Sequence, residues 1–291
     1  DVGHLIASYS PTHASWMKSE MEGLKKQMKM TDEDKLKLYE ELVRCRKALS
    51  ESRLLQRPSQ ETGSSFIRNT LRRLTKSKMD RMRSMSTGDA SSNFSVDYWS
   101  YTKTGIKQSL TVIYDPSMEE TAVKMFTQIL IYAGIEESEE YNEEEKMNMV
   151  QNLMQRCLES DFICNEFFLQ LIKQTTDHPD KKYNLKPHPN STVNSRSWQL
   201  MAVTASTLSP ANTRVQKYVV CHLKKCSMDT TTEEGKFARF SLKCLTRSIE
   251  KKRRKFPPSV PEIQCVMQRK PITQKIYFLN GEQRVIEFDS A

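Results

Sequence analysis

The stretch Phe162-Ile163-Cys164-Asn165-Glu166-Phe167-Phe168-Leu169-Gln170-Leu171-Ile172-Lys173-Gln174-Thr175-Thr176 decides the fold. Most of it is apolar, and its polar members Glu166, Gln170, Lys173 and Gln174 fall at helical spacing on one narrow stripe. A helix that is apolar nearly all round is a central, buried one. Downstream, Ser197-Trp198-Gln199-Leu200-Met201 opens a second apolar helix.

Further helices flank this pair. Asp115-Pro116-Ser117 starts one that runs from about Met118 to Tyr132 and stops at Gly134. Another, from Glu143 to Glu159, carries Met147, Val150, Met154, Cys157 and Leu158 on one face. The central helix ends at Asp177-His178-Pro179, and a loop is expected between Asp180 and Arg196. After Pro210 a helix gathers Val215, Val219, His222 and Cys226 on one side, with Leu223 at its margin. Arg214, Lys217 and Lys224 lie opposite, with Lys225 nearby. Phe237 to Ile249 forms a further helix with Phe240, Cys244 and Leu245 inward. Lys275 to Phe288 then reads as two short strands around Asn280-Gly281.

The first third differs in character. Met17, Met21, Leu24, Met28, Thr31, Lys35, Leu38, Leu42, Cys45 and Leu49 alternate three and four apart. This is the period of about 3.5 residues of a coiled-coil seam. Two readings are open: a parallel homodimer through residues 17–49, or a single helix whose seam docks elsewhere or frays. From Phe66 to Met85, Ile67, Leu71, Leu74, Met82 and Met85 share one face. Arg68, Arg72, Arg73, Lys76 and Lys78 surround it, which suits an anionic membrane or a calmodulin-type partner, or equally a basic linker. The expected division is 1–57 coiled-coil-like helix, 58–93 basic segment and linker, 94–270 helical domain, and 271–291 the start of a β lobe.

With 291 residues, 37% hydrophobic content and mean hydropathy of −0.65, the chain is less apolar than a wholly compact globule. Its net charge of +9 favours an acidic partner. Seven cysteines without a framework of spacings suit reduced thiols. The eight glycines are all at least seventeen residues apart, which excludes a phosphate-cradling loop and a dinucleotide fingerprint. Cys221, His222, Cys226 and Cys244 lack metal-ligand spacing and read better as packed side chains. Glu166 reads as a partner for a nearby cation or amide rather than as a catalytic acid. No cofactor, metal or catalytic residue is expected.

Several blocks, in order, resemble the myosin-tail-homology-four domain between about Trp99 and Val266. They are Ile106-Lys107-Gln108-Ser109-Leu110, Ala122 to Phe126, Tyr132-Ala133-Gly134, Cys164 to Thr176, and Trp198 to Met201. Arg254 to Ser259 and Glu262-Ile263 resemble its exit. The resemblance implies an all-helical bundle in the tail of an unconventional myosin, a kinesin, or a non-motor adaptor with pleckstrin-homology and FERM domains. It also implies that the terminal hairpin opens a FERM first lobe, and that helical domain and FERM together bind cargo in the cytoplasm, on the cytoskeleton. Some members bind microtubules through basic surfaces. The candidates here are Arg214, Lys217, Lys224, Lys225, Lys251, Lys252, Arg253, Arg254 and Lys255. A nucleic-acid partner is not expected.

Overall fold

The computed structural model describes residues 31–57, 94, 96–135, 141–178, 191–229, 231–251 and 253–288. Residues 17–30 of the seam and the whole basic segment, with Arg68, Arg72, Arg73, Lys76 and Lys78, lie outside them, as does Lys252. Among the described residues the chain forms nine helices and one hairpin. The helices are α1 (Asp32–Glu51), the single turn α2 (Val96–Trp99), α3 (Pro116–Ala133), α4 (Glu143–Glu159), α5 (Asp161–Thr175), α6 (Ser191–Thr207), α7 (Thr213–Cys226), α8 (Glu233–Glu250) and α9 (Val260–Met267). Strands β1 (Ile272–Tyr277) and β2 (Gln283–Phe288) follow.

Local signals set the helix ends. Asp115 caps α3 by accepting from the Ser117 amide, Pro116 occupies its first turn, and Gly134 closes it in the left-handed region at φ 77°. Asn142 and Glu145 form a reciprocal capping box at the start of α4. Ser160 both ends α4 and caps α5, so the two helices are joined by one residue. The loop expected up to Arg196 is shorter than the sequence suggested, because α6 already begins at Ser191. Its earlier start places Val193 on the buried face, one helical turn before the buried Ser197.

α5 is the centre of the bundle. α3, α4, α6 and α7 all pack around it, and every residue from Ile163 to Thr175 is buried. Its polar stripe is buried too, and the reason lies in the segment from Asp97 to Thr111, which is irregular after the single turn α2. A chain without regular structure laid over a core must have its polar backbone groups satisfied by something. Lys173 Nζ donates to the carbonyls of Asp97, Tyr98 and Ser100. Gln174 donates to the Thr102 carbonyl at 3.1 Å. Glu166 accepts from the amides of Leu110 and Thr111 and from the Thr111 hydroxyl. Gln170 bridges back, donating to Glu166 and to the Ala122 carbonyl. The stripe thus rivets 97–111 onto the core.

Helix α1 follows the second of the two readings left open by its seam, a single helix whose apolar face docks elsewhere. The seam positions Leu42, Cys45 and Leu49 are turned onto α7 of the same chain, with Leu42 and Leu49 fully buried. Arg46, outside the seam, is 1% exposed and sits between the rings of Trp99 and Tyr218. After α1 the chain forms an antiparallel bridge between Leu55 and Thr111, with Gln56 donating to Leu110 and Val112 to Leu54. The helix therefore shares one core with residues 94–270, across the boundary expected at residue 57. A 3.5-residue pattern states that one face is apolar; it does not state which molecule covers that face.

The hairpin forms where expected, with Tyr277 opposite Gln283. Phe278 donates to the Glu282 carbonyl, closing a three-residue loop in which Gly281 takes φ 82°. A left-handed residue at that position is what such a loop requires.

Candidate functional site on the cationic face of α7

Asn212 caps α7 by accepting from the amides of Arg214 and Val215. The same residue is held by its own amide, which donates to Asn165 on α5 at 3.1 Å. From that anchor the helical repeat turns Val215, Tyr218, Val219, His222, Leu223 and Cys226 inward. His222 stacks on Trp198, with ring centroids 5.8 Å apart and planes 3° apart, and its Nε2 is 2.8 Å from the Thr175 hydroxyl. With one face fixed in this way, the opposite face is fixed as well. Arg214, Lys217 and Lys224 are exposed along it, and no ion pair holds them among the described residues.

Lys225 stands apart from these three. It is half-buried, with its ammonium 5.3 Å from the Tyr39 ring centroid of α1. It therefore joins the two helices as well as bordering the stripe.

The basic run after α8 is divided in use. Arg253 donates to the carbonyls of Cys157 and Leu158, the last turn of α4, and pairs with Asp161 at the start of α5. A cation is favourable at a helix C-terminus, where carbonyls lack intrahelical partners. Arg254 holds Glu262 of α9 through two hydrogen bonds of 2.5 and 2.9 Å. Both arginines thus act as clamps on the exit segment. Lys251 and Lys255 remain exposed. Lys251, Arg253 and Arg254 line a cleft of about 190 Å³ together with Ser206, Ser209 and Ser248. Nothing in the charge pattern revealed this division, since Arg253's acceptors lie about ninety residues upstream and Arg254's lies on α9, eight residues downstream.

The ionisable groups of the core have structural partners. Burial pushes the Glu166 carboxyl above its ordinary range, against the pull of its four hydrogen-bond donors. Burial pulls the Lys173 ammonium down to about 8 and pushes the Cys164 thiol up to about 12. Among the described residues no group of three or more histidine, cysteine or acidic side chains is placed to hold a metal ion. Nor is any helix among them long and apolar enough to cross a membrane.

Comparison with known proteins bears on the fold. Residues 150–265 match the MyTH4 domain family. The chain is similar to the kinesin-like protein KIN-14E of Arabidopsis thaliana, 28% identical over 200 residues. It is equally similar to the myosin-I heavy chain of Dictyostelium discoideum, 28% identical over 198 residues. Each alignment covers 67% of this chain, but only 15% of the kinesin and 8% of the myosin. The fold matches the Dictyostelium myosin VII MyTH4-FERM MF1 domain with a TM-score of 0.57 and 27% identity, over 66% of this chain and 37% of that one. It also matches the C-terminal MyTH4-FERM domain of human myosin 7b, solved in complex with the harmonin-a PDZ3 domain. There the TM-score is 0.55 at 20% identity, over 66% of this chain and 37% of that one. Residues 150–265 of the all-helical body built around α5 thus match the MyTH4 domain, a non-catalytic module of myosin and kinesin tails.

Proposed function

We propose that the chain is a docking module of a cytoskeletal motor tail, whose α7 stripe engages acidic protein surfaces, tubulin tails foremost. The observation that carries the reading is the pairing of a fully packed inner face of α7 with an outer face of exposed cations. Such a stripe attracts acidic, extended polymers through a screened, salt-sensitive force. Lys251 and Lys255 extend the positive surface beyond α8, whereas Arg253 and Arg254 serve the fold. In this reading the hairpin begins a FERM lobe, and the combined unit takes up the tail of a cargo protein. The harmonin-bound myosin 7b domain supports that part, since it holds a protein partner on a MyTH4-FERM unit. The motor is a myosin or a kinesin, and the chain would work on the cytoskeleton.

Microtubule co-sedimentation tests the stripe. Arg214→Glu, Lys217→Glu and Lys224→Glu in one chain should weaken binding at least about tenfold, as expected when several contacts of under about 1 kcal/mol each are reversed together. Circular dichroism should be unchanged, because none of the three enters the core. Lys225 is left in place because it packs on Tyr39. Equal binding by the variant would remove α7 as the docking surface.

A further inference from the structure

Cys45 on α1 and Cys221 on α7 meet across the interface between these helices, with their sulfurs 3.4 Å apart. Their surroundings are unequal. Cys45 is half-buried and reachable from solvent, while Cys221 is 3% exposed. The hydrogen bond from Cys221 draws the Cys45 thiol below its ordinary range, with help from the nearby Lys217 and Arg44 cations. The same bond, together with burial, pushes the Cys221 thiol upward. One sulfur is thus placed to become a nucleophile and the other to follow it. Cys157 and Cys164 are also neighbours, but both are buried and both thiols are pushed up by desolvation, so neither is suited to begin such a reaction.

We infer that Cys45 and Cys221 form an oxidisable dithiol, which a hydroperoxide converts to a disulfide stapling α1 to α7. In the first step the Cys45 thiolate attacks one oxygen of the hydroperoxide. The O–O bond breaks, water or an alcohol leaves, and Cys45 becomes a sulfenic acid. In the second step the Cys221 sulfur attacks the Cys45 sulfur, giving up its proton. The S–O bond breaks, a water leaves, and the S–S bond forms. The two thiols lose two electrons and two protons in all, and one hydroperoxide is reduced. An external thiol reverses the change by exchange. The sulfurs need to close from 3.4 Å to the S–S bond length of about 2.05 Å. The staple fixes α1 alongside the stripe that includes Lys217 and is bordered by Lys225, and makes its docking independent of noncovalent packing.

The test is oxidation of the whole chain with stoichiometric hydrogen peroxide, followed by alkylation, unfolding and peptide mapping. Two of the seven thiols should be lost, one peptide should join Cys45 to Cys221, and dithiothreitol should restore both thiols. The thermal midpoint of the oxidised chain should rise by several degrees, and that of Cys45→Ser should not respond to peroxide. In Cys221→Ser, dimedone should trap a sulfenic acid on Cys45. Oxidation of the wild-type chain that stops at Cys45, or a first cross-link between any other cysteines, overturns the inference.

Discussion

The Arg46 guanidinium donates from Nε to the Tyr218 hydroxyl at 2.9 Å, joining residues 172 positions apart, and both side chains are buried. The guanidinium also lies 5.2 Å from the Trp99 ring centroid and 5.7 Å from that of Tyr218. One arginine therefore links α1, α2 and α7. Replacing it by alanine removes a charge-assisted hydrogen bond and two desolvated cation–π contacts, and opens a void. Arg46→Ala should lower stability by about 2–4 kcal/mol. Urea denaturation measures this, and hydrogen exchange should show α1 loosened more than α5.

Lys173 gives the domain a pH dependence of known sign. Its pKa falls from 10.5 to about 8 on folding, so between these values the unfolded chain holds a proton that the folded chain has released. Stability then rises with pH across the window, and the contribution is lost as pH falls through about 8. A shift of this size corresponds to about 3 kcal/mol. The stability difference between wild type and Lys173→Met, measured by urea denaturation at pH 7.5 and pH 10.5, should move in favour of wild type by that order. A difference flat with pH would show that the ammonium is solvated.

Glu166 discriminates shape from charge. Glutamine keeps the length and one acceptor oxygen, but turns an amide toward donors that need an acceptor. Glu166→Gln should cost about 1–3 kcal/mol, and Glu166→Ala more, because it adds a cavity and leaves the Leu110 and Thr111 amides without their acceptor. Thermal melts rank the pair. Equal melting points for both variants and wild type would mean that 97–111 is held by other contacts.

Gly235 marks a place where backbone approaches backbone. A Cβ built there would lie 1.4 Å from the Asp229 carbonyl oxygen. Gly235→Ala can be accommodated only by moving the turn before α8, and it should lower the melting temperature by several degrees despite alanine's better helix propensity. Alanine at Gly105, where a Cβ meets nothing within 4 Å, is the control and should melt like wild type.

The periodic parts of the fold were legible from sequence. α4 runs from Glu143 to Glu159 as its apolar spacing requires, and α7 divides its residues between core and solvent as the helical wheel does. Glu166, Gln170, Lys173 and Gln174 were visible as a stripe, but their role was not, because it depends on which irregular segment lands on them. Arg253 and Arg254 were misleading for a related reason: within a run of like charges, nothing local distinguishes a clamp from a surface cation. The seam of α1 was seen and its apolar face correctly placed. Only the fold shows that α7, in the same chain, covers Leu42 and Leu49.

The hairpin carries a practical consequence. Tyr277, Leu279 and Val285 are 72%, 111% and 61% exposed, and among the described residues β1 and β2 pair only with each other. Each strand therefore offers an open ribbon edge, flanked by greasy side chains, to any other chain in solution, which is a recipe for self-association in concentrated samples. Ending the polypeptide at Lys270 should give a better-behaved sample whose helices melt unchanged, and gel filtration at rising concentration would tell the two lengths apart.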